Sequence, residues 1–204
     1  MERKDSVDIK DYDAYIFDLD GTLFTIPVDW PRVREEVGRI AGAPLGDAPL
    51  FLKIEQLVSI RPSIKETLFD VLDQHELNAA MEAHPMNGAL ELLSRLSKEA
   101  KLGLVTMQGT AVCDKVLGRY HMGELFDALV TREDSLDRAV QLRIATSAIG
   151  LPPRDTLFTA DRPNDVICGR KAGVSTAHIG GELPRDVKPD YAFSSLEVLR
   201  DIWV

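Results

Sequence analysis

The strongest constraint on the fold is an alternation of two periods. Short apolar runs at 14–19 (AYIFDL), 102–106 (LGLVT), 127–131 (DALVT), 156–160 (TLFTA) and 174–180 (VSTAHIG) read as strands. Stretches between them carry apolar residues at helical spacing: GALELLSRLSKEA (88–100), AVQLRIATSAIG (139–150) and RPNDVICGRKAG (162–173). Gly173 is placed to cap the last of these. Strands that are apolar nearly throughout and alternate with helices belong in a parallel sheet covered on both faces. The expected fold is α/β, a doubly wound parallel sheet. Ligands of such sheets sit beyond the carboxyl ends of the strands, at a topological switch point. Asp18, Thr106, Thr131 and Asp161 all fall at or just past expected strand ends.

One segment breaks the rhythm. From about residue 25 to residue 84 no strand is expected. VDWPRVREEVGRIAGA (28–43) reads as a helix with Asp29 as N-cap and Pro31 in its first turn. GAPLGDAP (42–49) is a loop, and 50–60 and 63–83 are helical again, interrupted at Arg61-Pro62. Roughly 60 helical residues are too many for a crossover connection. They read as a helical cap domain over 25–84, inserted into a core formed by 1–24 and 85–204.

Composition narrows the partners. The chain of 204 residues is 45% hydrophobic, enough for a core, and its net charge is −9. That balance speaks against a protein built to neutralise nucleic-acid phosphates or anionic lipid. Cys113 and Cys168 are isolated, with no C-x-x-C pair for zinc, and read as buried thiols of a reducing compartment. The first residues, MERKDSVDIKDYDA, are too charged for a signal peptide and too acidic for a transit peptide. No apolar run reaches membrane-spanning length. The expectation is a soluble, cytoplasmic protein. Monomer and homodimer are both open, and the four histidines form no metal spacing.

The segment IFDLDGTLF (16–24) carries two carboxylates, Asp18 and Asp20, at the end of an apolar strand. Burying both charged is costly, and they repel one another. A divalent cation held by hard oxygens relieves that cost, and such donors select magnesium. Gly21 permits an unusual backbone angle or lets a ligand approach closely, and Thr22 is placed to bond back and fix the turn. TADRPNDV (159–166) adds Asp161 as a second ligand, with Asp165 either ligating or holding a coordinated water.

FDLDGTLF, a later strand ending LVT and a strand ending in D-x-x-x-D resemble, in order and spacing, the haloacid dehalogenase superfamily. The likeness spans nearly the whole chain, and the insertion after the first motif resembles that family's helical C1 cap. HPMNGALELLSRL (84–96) is similar to the cap-to-core return of phosphoglycolate phosphatase-like members. The resemblance implies Asp18 as nucleophile, Asp20 as general acid and base, and Thr106 with the Met107 amide as phosphate binders. It implies Asp18, Asp20, Asp161 and Asp165 around Mg2+, and a small-molecule phosphate ester as substrate. Asp20 favours phosphate-ester hydrolysis over dehalogenation, since dehalogenases and phosphonatases lack that residue.

Two motifs depart from the family. VTREDSLDRAVQLRIA (130–145) lacks the usual lysine; Arg138 is the substitute by position, Arg132 the second choice, and a surface pair with Asp134 or Asp137 is the bland alternative. Met107-Gln108-Gly109 follows Thr106 where a small polar residue is common; Gln108 is within reach of a substrate, but a loop glutamine is ordinarily solvated. In the cap, Trp30, Arg61 and Lys65 are more consistent with packing or solvation than with substrate contact. The expected activity is a magnesium-dependent phosphatase using an aspartyl-phosphate. A phosphomutase of β-phosphoglucomutase type and a non-catalytic phosphate-ligand-binding protein are the rivals.

Overall fold

The strands alternate their side chains between two apolar layers, which is why they pair in parallel beneath helices. In the computed structural model, which describes residues 8–203, the chain forms eight strands among the described residues. They are β1 (Ala14–Phe17), β2 (Phe24–Thr25), β3 (His84–Pro85), β4 (Lys101–Val105), β5 (Ala128–Val130), β6 (Thr156–Ala160), β7 (Ser175–Ile179) and β8 (Tyr191–Phe193). Six form one parallel sheet in the order β5-β4-β1-β6-β7-β8. The first seven residues of the charged N-terminal segment lie outside the described residues.

Tyr15, Phe17, Leu102, Leu104, Leu157, Ala177 and Ile179 enter one core layer, while Ile16, Val105, Phe158 and Ala160 enter the other. The first layer is closed by α4 (Ala89–Leu96), α5 (Thr110–Arg119) and α8 (Leu196–Arg200), through residues such as Leu92, Leu93, Val116 and Leu199. The second is closed by α6 (Arg138–Ile149) and α7 (Pro163–Ala172), through Leu142, Ala145, Cys168 and Ala172. Both thiols, Cys113 and Cys168, are free and buried.

From β1 the chain passes to β4 and β5, then returns beside β1 with β6 and moves outward to β7 and β8. Direction therefore reverses around β1, and the crevice beyond β4, β1 and β6 is the switch point. The register sets Phe17 level with Leu104 and Thr159. Asp18, Thr106 and Asp161 thus leave the sheet within two residues of one level.

The inserted segment folds on its own apolar stripe. Among the described residues its α-helices are α1 (Trp30–Ala41), α2 (Leu50–Ile60) and α3 (Lys65–Ala79). They pack Val33, Val37, Leu50, Ile54, Leu68, Phe69 and Leu72 together. Asp29 caps α1 by accepting from the Arg32 amide at 3.1 Å, and Pro31 lies in the first turn, as expected. Trp30 stacks edge-on against Phe51 at 5.9 Å, and the exposed Arg61 donates to the Ile40 carbonyl at 2.6 Å.

Several expectations are corrected. The segment is bordered by strands after all: Phe24 pairs with Pro85 and Thr25 with His84, antiparallel. A two-residue ladder carries no period for sequence reading to detect. The helix expected at 88–100 stops at Leu96, and that expected over 63–83 becomes a short 3-10 turn at Pro62–Ile64 followed by α3. Helices α5 and α8 and strand β8 had no counterpart in the sequence reading. Among the described residues, no helix is long and apolar enough to cross a membrane.

Candidate active site

Asp18 directly follows β1 and is 5% exposed. Its Oδ1 accepts a hydrogen bond from Arg138 Nη2 at 2.8 Å. Arg138 is the first residue of α6, whose start is fixed by Asp137 accepting from the amides of Ala139 (2.7 Å) and Val140 (3.2 Å). The guanidinium also donates from Nη1 to the Val105 carbonyl at 2.6 Å. Its Nε lies 3.1 Å from Asp165 Oδ1, an ion-pair distance but off the hydrogen-bonding line. One buried arginine therefore joins β1, β4 and α7. The surface-pair alternative for Arg138 is excluded by these contacts.

Burial of Asp18 pushes its carboxyl up to about 8. Arg138 opposes that rise, while Asp165, Asp161 and Asp20 each add to it. For Arg138, burial works against the charge, but Asp165 and Asp18 outweigh it and raise the pKa. Asp20 is half-buried; its Oδ1 accepts from the Ile26 amide at 3.0 Å, and burial pushes it to about 6. Asp161 is likewise raised, first by burial, with Arg162 opposing and Asp165 adding.

Gly21 adopts the unusual backbone angle expected of it, and what approaches it closely is the Asp161 side chain. Its φ is +87°, and a Cβ there would collide with the Asp161 carboxylate. The turn is held by its backbone: the Gly21 amide donates to the Phe24 carbonyl at 2.8 Å and the Phe24 amide to the Leu19 carbonyl at 2.9 Å. Thr22 does not fix it, for its buried hydroxyl finds no partner. That expectation is corrected, because the close 21–24 and 19–24 contacts already close the loop.

Thr106 leaves β4 1% exposed, and its Oγ1 accepts from the Gln108 amide at 3.1 Å. A hydroxyl whose lone pair is occupied in this way has its proton to offer an anion. Thr131, past β5, is spent structurally, bonded to Thr110 at 2.9 Å and Glu133 at 2.6 Å. Gln108 is 3% exposed rather than solvated, which corrects the expectation. Arg132, the second choice for the missing cation, turns away to Glu76 and Asp73 of α3.

Sequence reading also missed Gln141. Its amide nitrogen has the carbonyls of Thr106 (2.9 Å), Thr131 (2.9 Å) and Ser135 (2.8 Å) within hydrogen-bonding distance and shares its two N–H donors among them, tying two strand exits to α6. A glutamine in an otherwise apolar helical stripe was the available signal.

Among the described residues, no three His, Cys, Asp or Glu side chains gather tightly enough to form a ready metal cage. The donor chemistry nevertheless fits a divalent cation. Asp161 Oδ1 is buried without a hydrogen-bond partner, and three further carboxylates crowd the field of Asp18. These are hard oxygens of the kind magnesium takes.

Residues 33–179 match the haloacid dehalogenase-like hydrolase family. The chain is 27% identical to the pyrophosphatase PpaX of Halalkalibacterium halodurans, over 92% of this chain and 94% of that one. It is 28% identical to an N-acetylmuramic acid 6-phosphate phosphatase of Pseudomonas aeruginosa, over 81% and 80% respectively. Its fold is similar to that of the HAD hydrolase YfnB of Bacillus subtilis, solved with magnesium bound. That match has a TM-score of 0.62 and 19% identity, and covers 94% of this chain and 98% of the other.

Proposed function

Because the chain belongs to the haloacid dehalogenase-like hydrolase family, we propose that it is a magnesium-dependent phosphatase. It hydrolyses a small-molecule phosphate monoester through an aspartyl-phosphate on Asp18. The observation that carries this reading is the buried Asp18 carboxylate at the switch point, with one oxygen held by Arg138. Anchoring Oδ1 leaves Oδ2 as the attacking oxygen and orients it before substrate arrives.

In this reading Thr106 Oγ1 and the Met107 amide bind the phosphoryl oxygens, and Arg138 neutralises charge beside them. Asp18 attacks phosphorus, the ester oxygen departs, and Asp20 gives that oxygen its proton. Asp20 then takes a proton from the water that hydrolyses the aspartyl-phosphate. Its Oδ1 is held by the Ile26 amide, which fixes the carboxyl for both transfers. Asp18, Asp20 and Asp161 would hold Mg2+, with Asp165 an outer carboxylate already engaged by Arg138. The bound cation supplies charge shielding between carboxylate and phosphate. Residues 25–84 serve as the cap domain over the core of 1–24 and 85–204. Two buried free thiols accord with a cytoplasmic setting.

The test is inorganic phosphate release from a panel of small phosphate esters, with magnesium or with chelator, beside Asp18→Asn. N-acetylmuramic acid 6-phosphate belongs in the panel, and pyrophosphate, an anhydride, is assayed beside the esters, because relatives are named for these compounds. Metal-dependent release that disappears in the variant is the expected result. No release above the variant's background refutes the reading.

A further inference from the structure

Loop 106–109 is bound from behind by a network that the mechanism above does not use. Glu76 lies on α3 of the inserted segment and is 0% exposed. Its Oε2 accepts from the Gly109 amide at 3.3 Å and from Arg132 Nη1 at 2.6 Å. Arg132, 1% exposed, also donates from Nη1 to the Met107 carbonyl at 3.1 Å, while Nη2 pairs with Asp73. The Gln108 side chain, with its amide nitrogen turned to Glu76, lies 3.0 and 3.2 Å from the two carboxylate oxygens. Three consecutive residues after Thr106 are therefore fastened to one ion pair, and that ion pair joins α3 to the exit of β5.

The packing leaves the loop little freedom. A Cβ on Gly109 would lie 2.7 Å from Arg132 Nη2 and collide with Asp73, so the backbone passes flush against the pair. The Phe69 ring sits 5.4 Å from the guanidinium. Such a network is a poor device for stability alone. Buried ion pairs are often matched or bettered by apolar residues of the same volume. Burial pushes Glu76 up to about 7 even beside Arg132, with Asp73 adding to the rise. Cys113 of α5 and Glu133 after β5 also belong to this electrostatic neighbourhood. The arrangement makes more sense as a setting device.

We propose that Glu76 and Arg132 are positioning residues that fix loop 106–109 in its phosphate-binding conformation, making phosphate affinity depend on α3 being seated against the core. This rests on the reading of Thr106 and Met107 as phosphate binders. Neither residue touches the substrate. They act through the backbone of Met107 and Gly109 and the side chain of Gln108.

The test compares wild type, Glu76→Gln and the double variant Glu76→Met/Arg132→Met, all as full chains with magnesium. The readouts are kcat and KM for p-nitrophenyl phosphate, Kd for inorganic phosphate by calorimetry, and the urea midpoint. In Glu76→Gln, KM and the phosphate Kd are expected to rise together by about 10-fold, with kcat much less affected. The double variant separates positioning from stability. Methionines refill the volume, and the charge left without its partner is that of Asp73, which is partly exposed and open to water, so the urea midpoint stays near wild type while KM and Kd remain raised. Wild-type KM and Kd in either variant overturn the inference while leaving the phosphatase reading intact. Wild-type protein that neither hydrolyses the ester nor binds phosphate overturns the phosphatase reading itself.

Discussion

Replacing Arg138 by methionine is the most informative single perturbation of the candidate site. Methionine occupies much of the volume of the arginine stem, so the dominant loss is the cation rather than a cavity. The Val105 carbonyl and the carboxylates of Asp18 and Asp165 are left facing one another. A hydrogen bond to a charged group contributes about 1.5–3 kcal/mol, and orphaning a buried partner costs about 3–5 kcal/mol in all. The loss has a pH signature. Asp18 already sits at about 8 with the arginine present, well above its ordinary value. Without the arginine its folded pKa rises further, so the folded carboxyl stays protonated at pH values where the wild-type group ionises. The variant's deficit therefore grows as pH rises through about 8. Urea unfolding in chelator should show the full 3–5 kcal/mol at pH 9 and roughly half that at pH 6, where Asp18 is neutral in both proteins. Turnover of p-nitrophenyl phosphate should fall by about 100-fold or more, and Arg138→Lys should recover part of it. A variant within about 0.5 kcal/mol of wild type at both pH values would refute the reasoning.

Four other outcomes follow from the structure. In chelator, wild-type stability should fall as pH rises from 4 to 8. Asp18 and Asp20, raised to about 8 and about 6, bind more protons folded than unfolded across that range, each contributing at most about 1.4 kcal/mol per pH unit. Magnesium should offset the fall, read as a rise in thermal midpoint that is larger at pH 8 than at pH 5. Gly21→Ala forces a Cβ onto Asp161 at a positive φ, and should cost about 1–3 kcal/mol of stability and most of the activity, read by urea titration and phosphate release. Leu72→Ala, at a fully buried position of the α1–α3 core, should cost about 2–5 kcal/mol in that segment, read by hydrogen exchange of α1 and α3 amides.

What the sequence disclosed and what it hid have physical causes. Buried parallel strands are continuous apolar runs, so five of the six strands of the sheet were visible, and residues just past their ends were the natural places to look for chemistry. Arg138 was reachable because its position relative to the strand before it is set by chain order. Its partners, Asp18 and Asp165, lie in other segments, so the pairing itself exists only in three dimensions. The short outer strand β8 and the β2–β3 ladder are too brief to show a period. Gln108, Gln141 and Glu76 escaped for a shared reason. A polar side chain is solvated by default, and nothing local shows that Glu76 faces Arg132, 56 residues away. Their burial is decided by which helix lands on which loop.

The β2–β3 pair also bears on how the chain reaches this topology. Strand β1 must find β4, with Ala14 opposite Lys101, across about 87 residues of chain. Once Phe24 meets Pro85, the remaining path is about 27 residues. Loop-closure entropy grows as the logarithm of length, so this shortcut lowers the entropic cost of pairing β1 with β4 by about 1 kcal/mol. The inserted helices can draw their own ends together through contacts local to them. For the growing sheet, a long excursion then behaves kinetically as a short connection, and the slow search expected of distant parallel strands is shortened accordingly.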